Sequence, residues 1–303
     1  MEKCSIQIQS VLYLNQQSSL KRALYSIANA VRVNKSSDLK VGSITVCYGD
    51  ASPKRLFDNQ EVLSLKKEFS DLFEFKYEFF NENTGSAKGH NTLAKDCNSE
   101  YMLIMNPDVI LCPKFFEKII APFVNDTSNT VGMTEARQTP VEHPKCYDRK
   151  TLETDWATTA CALFKTEDFN AIDGFDYKTF FLYCDDLDFS WRIRLLGKKI
   201  LYIPDCVVFH AKTLSVSGEW QPTNAEIYYS AEAGLLMAYK WSNKNRFRKL
   251  YDIFKNSGDE NLNKAAAHFD ELKRNKQLPK QLDKEHKVAR FVGDYYTKHR
   301  FTL

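Results

Sequence analysis

The chain has 303 residues with 43% hydrophobic and 13% aromatic side chains, enough for a sizeable core in one large domain or two small ones, which argues against wholesale disorder. Its formal charge of +3 is too small to argue for a nucleic-acid partner. Eight cysteines without a C-x-x-C pair suit free thiols in a reducing compartment better than a disulfide frame or zinc site.

The opening residues lack the apolar core of a signal peptide, and no window approaches the roughly 18 apolar residues of a membrane span. A soluble, cytoplasmic protein is expected. Ile6, Ile8, Val11, Leu12 and Leu14 predict a first buried strand, followed by a turn and cap over Asn15 to Ser19. Leu20, Leu24, Ile27 and Val31 then carry helical spacing to Val33. A second strand, Val41 to Tyr48, ends in the turn Gly49 to Pro53. A helix from about Arg55 to Phe69 and a strand from Phe73 to Phe80 come next. This alternation implies a parallel sheet covered on both faces, with ligands at the carboxyl ends of its strands.

The stretch Asn81 to Asn91 follows the third strand and leads into a helix through Ala94. Gly85 and Gly89 would let backbone amides approach an anion at the helix N-terminus, although a loop and cap is the plainer reading. The spacing of G-x-G-x-x-G and the Walker lysine are both missing, which disfavours a Rossmann dehydrogenase or P-loop enzyme. Tyr101 to Met105 predict a fully buried strand with Asn106-Pro107-Asp108 at its carboxyl end. Pro107 fixes the turn and so aims Asp108, a hard oxygen donor suited to Mg²⁺ or Mn²⁺ that also ligates a diphosphate. An Asx turn through Asn106 would close the strand equally well. Thr130 to Trp156 is polar and irregular and reads as a functional loop, after which a strand resumes at Ala160 to Phe164.

Phe180 to His210 is the most informative stretch. Asp185, Asp186 and Asp188 stand at the start of a helix whose apolar positions, Leu187, Phe189, Trp191, Ile193 and Leu195, cover most of its circumference. Acids in a first helical turn gain from the macrodipole, and Asp188 can pair with Arg192 at i, i+4. Asp185 and Asp186 are left without an obvious structural partner. Gly197 stops the helix. Strand-like residues Ile200 and Tyr202, then Pro204, and a second apolar run from Val207 lead to His210.

Taken in order, NENTGSAKGHN, NPD, the run GFDYKTFFLYCDDLDFSWRIR and the late VVFH resemble an inverting family 2 glycosyltransferase of the rhamnosyltransferase-like branch. The resemblance covers roughly residues 5 to 215. It implies a GT-A fold: α/β, with a Rossmann-like, mostly parallel central sheet flanked by helices. Residues 1–215 would form the nucleotide-sugar-dependent catalytic domain and residues 216–303 a helical C-terminal extension. It also implies that Asp108 meets the metal and the donor diphosphate, with His210 as a late metal or phosphate contact and Ser215 following. Asp186 corresponds to the general base and Asp185 to its partner. Asp50, Asn83, Gly85, Lys88, Asn91 and Asn106 would line the donor site, Asp50 displaced by one position from the usual nucleoside-binding turn.

The implied reaction moves a sugar from a nucleoside-diphosphate donor, a dTDP- or UDP-sugar, to a saccharide or lipid-linked saccharide acceptor in surface polysaccharide synthesis. A non-catalytic carbohydrate-binding or scaffolding protein would more readily have lost one of Asp108, Asp185 and Asp186. A sugar nucleotidyltransferase would show a Gly-rich basic loop near Tyr13 to Leu20. Beyond residue 215, Ala225 to Trp241 predict an amphipathic helix, and Asn261 to Leu303 read as charged and helical. Lys244, Arg246, Arg248 and Lys249, interleaved with Phe247, Leu250 and Tyr251, form a basic helix. It is either solvated or rests on anionic lipid at the inner face of the plasma membrane.

Overall fold

Buried apolar alternation makes Ile6–Leu12 the first strand, β1, near the middle of the sheet. The computed structural model describes residues 4–39, 41–142, 144–211, 223–298 and 300–301. It continues with α1 (Gln17–Asn34), β2 (Ile44–Asp50), α2 (Asn59–Phe69) and β3 (Glu74–Phe79). Asp58 caps α2 in a reciprocal box with Glu61, so the helix starts later than its apolar spacing suggests. β1 pairs in parallel with β2 on one side and with β4 (Tyr101–Met105) on the other, and β3 extends the sheet beyond β2. The strand order reverses beside β1, and the crevice at the carboxyl ends of β1, β2 and β4 is where such sheets take ligands.

Past β4 the sheet is mixed. β8 (Cys161–Lys165) runs antiparallel to β4 and to β6 (Val131–Thr139), while β9 (Lys199–His210) runs parallel to β6. β5 (Val109–Leu111) and the short β7 (Glu153–Thr154) add to β9 in antiparallel fashion. The long ladders are mostly parallel, and the expected α/β class holds. One core lies on the face covered by α1, α2 and α4 (Phe115–Val124). A second apolar cluster on the other face joins Met102, Ile104 and Phe164 to Phe175 and Phe189.

Several boundaries differ from the sequence reading. The expected loop from Thr130 contains β6, hidden because its inward positions Thr134, Glu135 and Gln138 are polar yet buried. β9 is a single strand that passes through Pro204, with an irregularity between Ala136 and Arg137 of β6 taking up the break. α3 (Gly85–Ala94) begins at Gly85, so Lys88, Gly89 and Asn91 sit on a helix rather than in a loop. Leu195, expected in the apolar wrap of α6 (Asp185–Leu195), is 43% exposed.

After residues 212–222, which include Ser215 and lie outside the described residues, come α7 (Asn224–Lys240), α8 (Lys244–Asn256) and α9 (Glu260–Arg274). The tail expected to be helical ends instead in a hairpin of β10 (Tyr295–Thr297) and β11 (Arg300–Phe301). Trp156, Leu187 and Trp191 share one core with Leu235, Trp241, Phe254 and Phe269 of these helices. On α8, Arg246 is buried and reaches Asp294 at 2.8 Å, and Lys249 meets the same carboxylate at 2.7 Å. Part of the basic stripe therefore faces the chain itself. Among the described residues no helix is long and apolar enough to cross a membrane.

Candidate active site

β4 ends where Asn106 donates its backbone N–H to Ala160 O at 2.8 Å, and Val109 N–H closes the turn on Asn106 O at 3.1 Å. Pro107 sits inside that turn and points Asp108 across the sheet edge toward the end of β9. There His210 Nε2 lies 3.3 Å from Asp108 Oδ1 and 3.4 Å from Asn106 Nδ2. The imidazole is buried, whereas the Asp108 side chain is about one-third exposed (34%). Two of the residues singled out as metal contacts, 102 positions apart in sequence, thus meet at one corner. A carboxylate oxygen beside an imidazole nitrogen fits a divalent cation. Among the described residues no three His, Cys, Asp or Glu side chains form a cage. Diphosphate oxygens and water would complete the coordination, as is usual for Mg²⁺.

The acidic pair is placed by an unusual backbone. Tyr183 and Cys184 both have left-handed φ, at 66° and 57°, and turn the chain sharply into α6. Asp185 then points inward and is buried, while Asp186 stays half-buried with Oδ1 accepting from Leu187 N at 2.8 Å. Burial, and then the Asp186 charge, push the Asp185 carboxyl up to about 7; hydrogen bonds from the Asp186 backbone and the Ser86 side chain oppose the shift. Ser86 lies in the first turn of α3, so the donor-side helix and the acidic pair touch. Asp188 is fully buried and bonded to Arg192, as its spacing implied, at 2.7 Å.

The raised Asp185 value carries a stability prediction. In the unfolded chain this group ionises near its ordinary value of 3.8, and in the fold near 7, so its contribution is lost as pH rises through that window. Asp185→Asn should therefore be more stable than the parent by about 1–3 kcal/mol at pH 8. The gain should vanish near pH 4. Thermal melts of both proteins at the two pH values check this, and an equal shift at both would sink it.

The remaining donor-side candidates take structural posts. Asp50 is fully buried; it accepts from Ser52 N at 3.0 Å, Leu56 N at 2.8 Å and the Tyr77 hydroxyl, so it shapes the turn after β2. Asn91 clamps both backbone atoms of Phe175, at 2.8 and 2.9 Å. Asn83 Oδ1 accepts from Gly85 N at 3.2 Å, and Lys88 pairs with Glu82 at 2.7 Å on the surface. Gly85 has φ +63°, and a Cβ there would lie 2.5 Å from Phe181 O. Only glycine lets α3 approach the segment that carries the acids. His90, in the same motif, is buried beside Gln9 and pushed down to about 3 by desolvation, so it stays neutral.

Sequence reasoning missed the buried polar residues behind this corner: Glu135 and Gln138 of β6, Lys145 after it, and Thr158 before β8. Their signal was present only as charged and amide side chains inside an extended run, which reads as a loop unless the strand is known.

No family profile matches the chain. Over 96 residues it is 28% identical to rhamnosyltransferase WbbL of Escherichia coli (strain K12), a match spanning 32% of this chain and 30% of that protein. Among solved structures, mannosyltransferase PcManGT from Pyrobaculum calidifontis, in complex with GDP-Man and Mn²⁺, superposes with a TM-score of 0.58. That match is 17% identical and covers 90% of this chain and 76% of the other. GalNAc-T7 with UDP, GalNAc and Mn²⁺ gives 0.62 at 12% identity, over 92% and 56%. S. aureus TarS gives 0.54 at 14%, over 88% and 42%. The fold is the GT-A glycosyltransferase fold that the motif resemblance implied.

Proposed function

We propose that the chain is an inverting, metal-dependent glycosyltransferase. It would move a sugar from a nucleoside-diphosphate donor to a saccharide or lipid-linked saccharide acceptor of a surface polysaccharide. The observation that carries this reading is the convergence of Asp108 and His210 at 3.3 Å on the carboxyl edge of the sheet. The rhamnosyltransferase match supports it, as do the structural neighbours that hold GDP-Man, or UDP and GalNAc, each with Mn²⁺.

A divalent cation held there by Asp108 and His210 would offset the charge that develops on the leaving diphosphate. The chain's own residues do the rest. Asp186, partly open to solvent, takes the proton from the acceptor hydroxyl as that oxygen bonds to sugar C1. The C1–O bond to the diphosphate breaks on the opposite face, which inverts the anomeric centre. Asp185 stays buried behind Asp186, on Ser86. Lys244 and Arg248 would be the cations left to meet anionic lipid, since Arg246 and Lys249 already hold Asp294.

Calorimetry with UDP, dTDP and GDP, each with and without Mn²⁺, tests the reading. At least one should bind more tightly with the metal. Asp108→Ala should remove that increment, a loss of about 2 kcal/mol or more if this contact resembles other charged ones, while the melting temperature stays close to the parent. An unchanged Mn²⁺ increment in the variant would sink the assignment.

A further inference from the structure

Behind the Asp108–His210 corner runs an unbroken file of buried polar groups. Lys145 and Glu135 are 3% and 0% exposed, with Nζ 2.7 Å from Oε2. The same ammonium stands 3.4 Å from the centroid of the Trp156 ring, a position that favours a cation. Glu135 Oε1 is 3.0 Å from Thr158 Oγ1, which is 2.8 Å from Gln138 Nε2. Gln138 Oε1 is 2.6 Å from His210 Nδ1, and His210 Nε2 faces Asp108.

The direction of every bond in this file follows from its charged end. Burial pushes the Glu135 carboxyl up and the Lys145 ammonium down, their 2.7 Å pairing opposes both shifts, and as the carboxylate of that ion pair Glu135 accepts. The Thr158 hydroxyl has a single proton and gives it to Glu135, so toward Gln138 it must accept. Gln138 therefore turns its NH₂ to Thr158 and its carbonyl to His210. A flipped amide would set two acceptors against each other at Thr158. The carbonyl in turn requires the His210 proton on Nδ1, which leaves Nε2 with a lone pair. Without Gln138 that constraint is lost: Asp108 Oδ1 at 3.3 Å draws the proton toward Nε2, against the pull of Asn106 Nδ2, a donor 3.4 Å from the same nitrogen.

We propose that Gln138 is a positioning residue of the metal corner: it holds the His210 proton on Nδ1 so that Nε2 presents a lone pair beside Asp108, with Thr158, Glu135 and Lys145 fixing its orientation. The proposal rests on the metal-dependent reading above. It gives the polar residues of β6 a role in the site, and it explains why a strand in the sheet interior carries a glutamate and a glutamine.

The test uses the full chain with ¹⁵N-labelled histidine, the His210 signals being assigned by difference from His210→Ala. In the metal-free parent, His210 should be the Nδ1–H tautomer. Gln138→Leu, which keeps the volume and removes the acceptor, should shift it toward Nε2–H. Calorimetric binding of Mn²⁺–pyrophosphate, a diphosphate probe without a base, should weaken roughly 10- to 100-fold in Gln138→Leu. An unchanged tautomer in Gln138→Leu overturns the proposal, and so does a changed tautomer with unchanged Mn²⁺ affinity. If the parent binds no Mn²⁺–pyrophosphate, the metal reading fails and takes this proposal with it. Tautomers that still shift with Gln138→Leu would then distinguish that result from a failure of Gln138 itself.

Discussion

Asp186→Asn is expected to lower turnover by roughly 10²–10⁴ while donor affinity stays nearly unchanged. Asparagine keeps the shape of the side chain and an oxygen for the Leu187 N–H, which Asp186 Oδ1 holds at 2.8 Å. It cannot take the acceptor's proton. Successive helical positions differ by about 100°, so the two acids cannot point the same way. Asp185 is turned inward and buried, whereas Asp186 keeps partial access to solvent, which an acceptor hydroxyl requires. Asp185→Asn should weaken donor binding more than the chemical step, through its contact with Ser86 of α3. Steady-state turnover and donor affinity of both variants decide the matter. Normal turnover in Asp186→Asn with a dead Asp185→Asn would exchange the roles. Normal turnover in both would reduce the pair to a helix cap and end the mechanism proposed here.

The elements that could be read from the sequence were those whose side chains obey one environment. β4 is an unbroken apolar run and α1 keeps a clean 3.6-residue stripe, so pattern and burial agree; β1 alternates, with Gln7 and Gln9 buried between its apolar residues. β6 failed for the opposite reason: its inward face carries Glu135 and Gln138, whose burial depends on Lys145, Thr158 and His210, none of them close in sequence. Asp108 was legible because Pro107 fixes its turn locally. Its distance from His210 was not, since that depends on β5 pairing Val109 with His210 across the sheet. Asn91 and Asp50 show the limit of motif reading. Each stands at a position the resemblance marks for the donor, yet their polar atoms serve the backbone of Phe175 and of residues 52–56. Motifs locate such residues well; whether they touch a ligand or hold the loop that does so is a three-dimensional matter.

The second large effect concerns Asp188, where sequence spacing disclosed one partner of three. Its carboxylate is fully buried and accepts from Arg192 Nε at 2.7 Å, from Lys240 Nζ at 2.6 Å and from Trp241 Nε1 at 3.0 Å. Lys240 and Trp241 close α7, so this single group ties the helix that begins with the acidic pair to the C-terminal helices. Asp188→Ala leaves two buried cations short of an acceptor. Lys240 keeps Asp176 at 2.7 Å, and Arg192 keeps the carbonyls of Ile172 and Gly174 at 2.7 and 2.6 Å. Those contacts limit the damage without replacing the charge. The expected loss is about 3–5 kcal/mol in denaturant unfolding, the range for breaking a buried ion pair from one side. Lys240→Met added to Asp188→Ala should recover part of it, because it removes one stranded cation. Turnover should fall as well, since Asp188 lies two residues from Asp186 and fixes how α6 sits. A loss below about 1 kcal/mol would place the pair among interactions of surface strength and deny Asp188 this role.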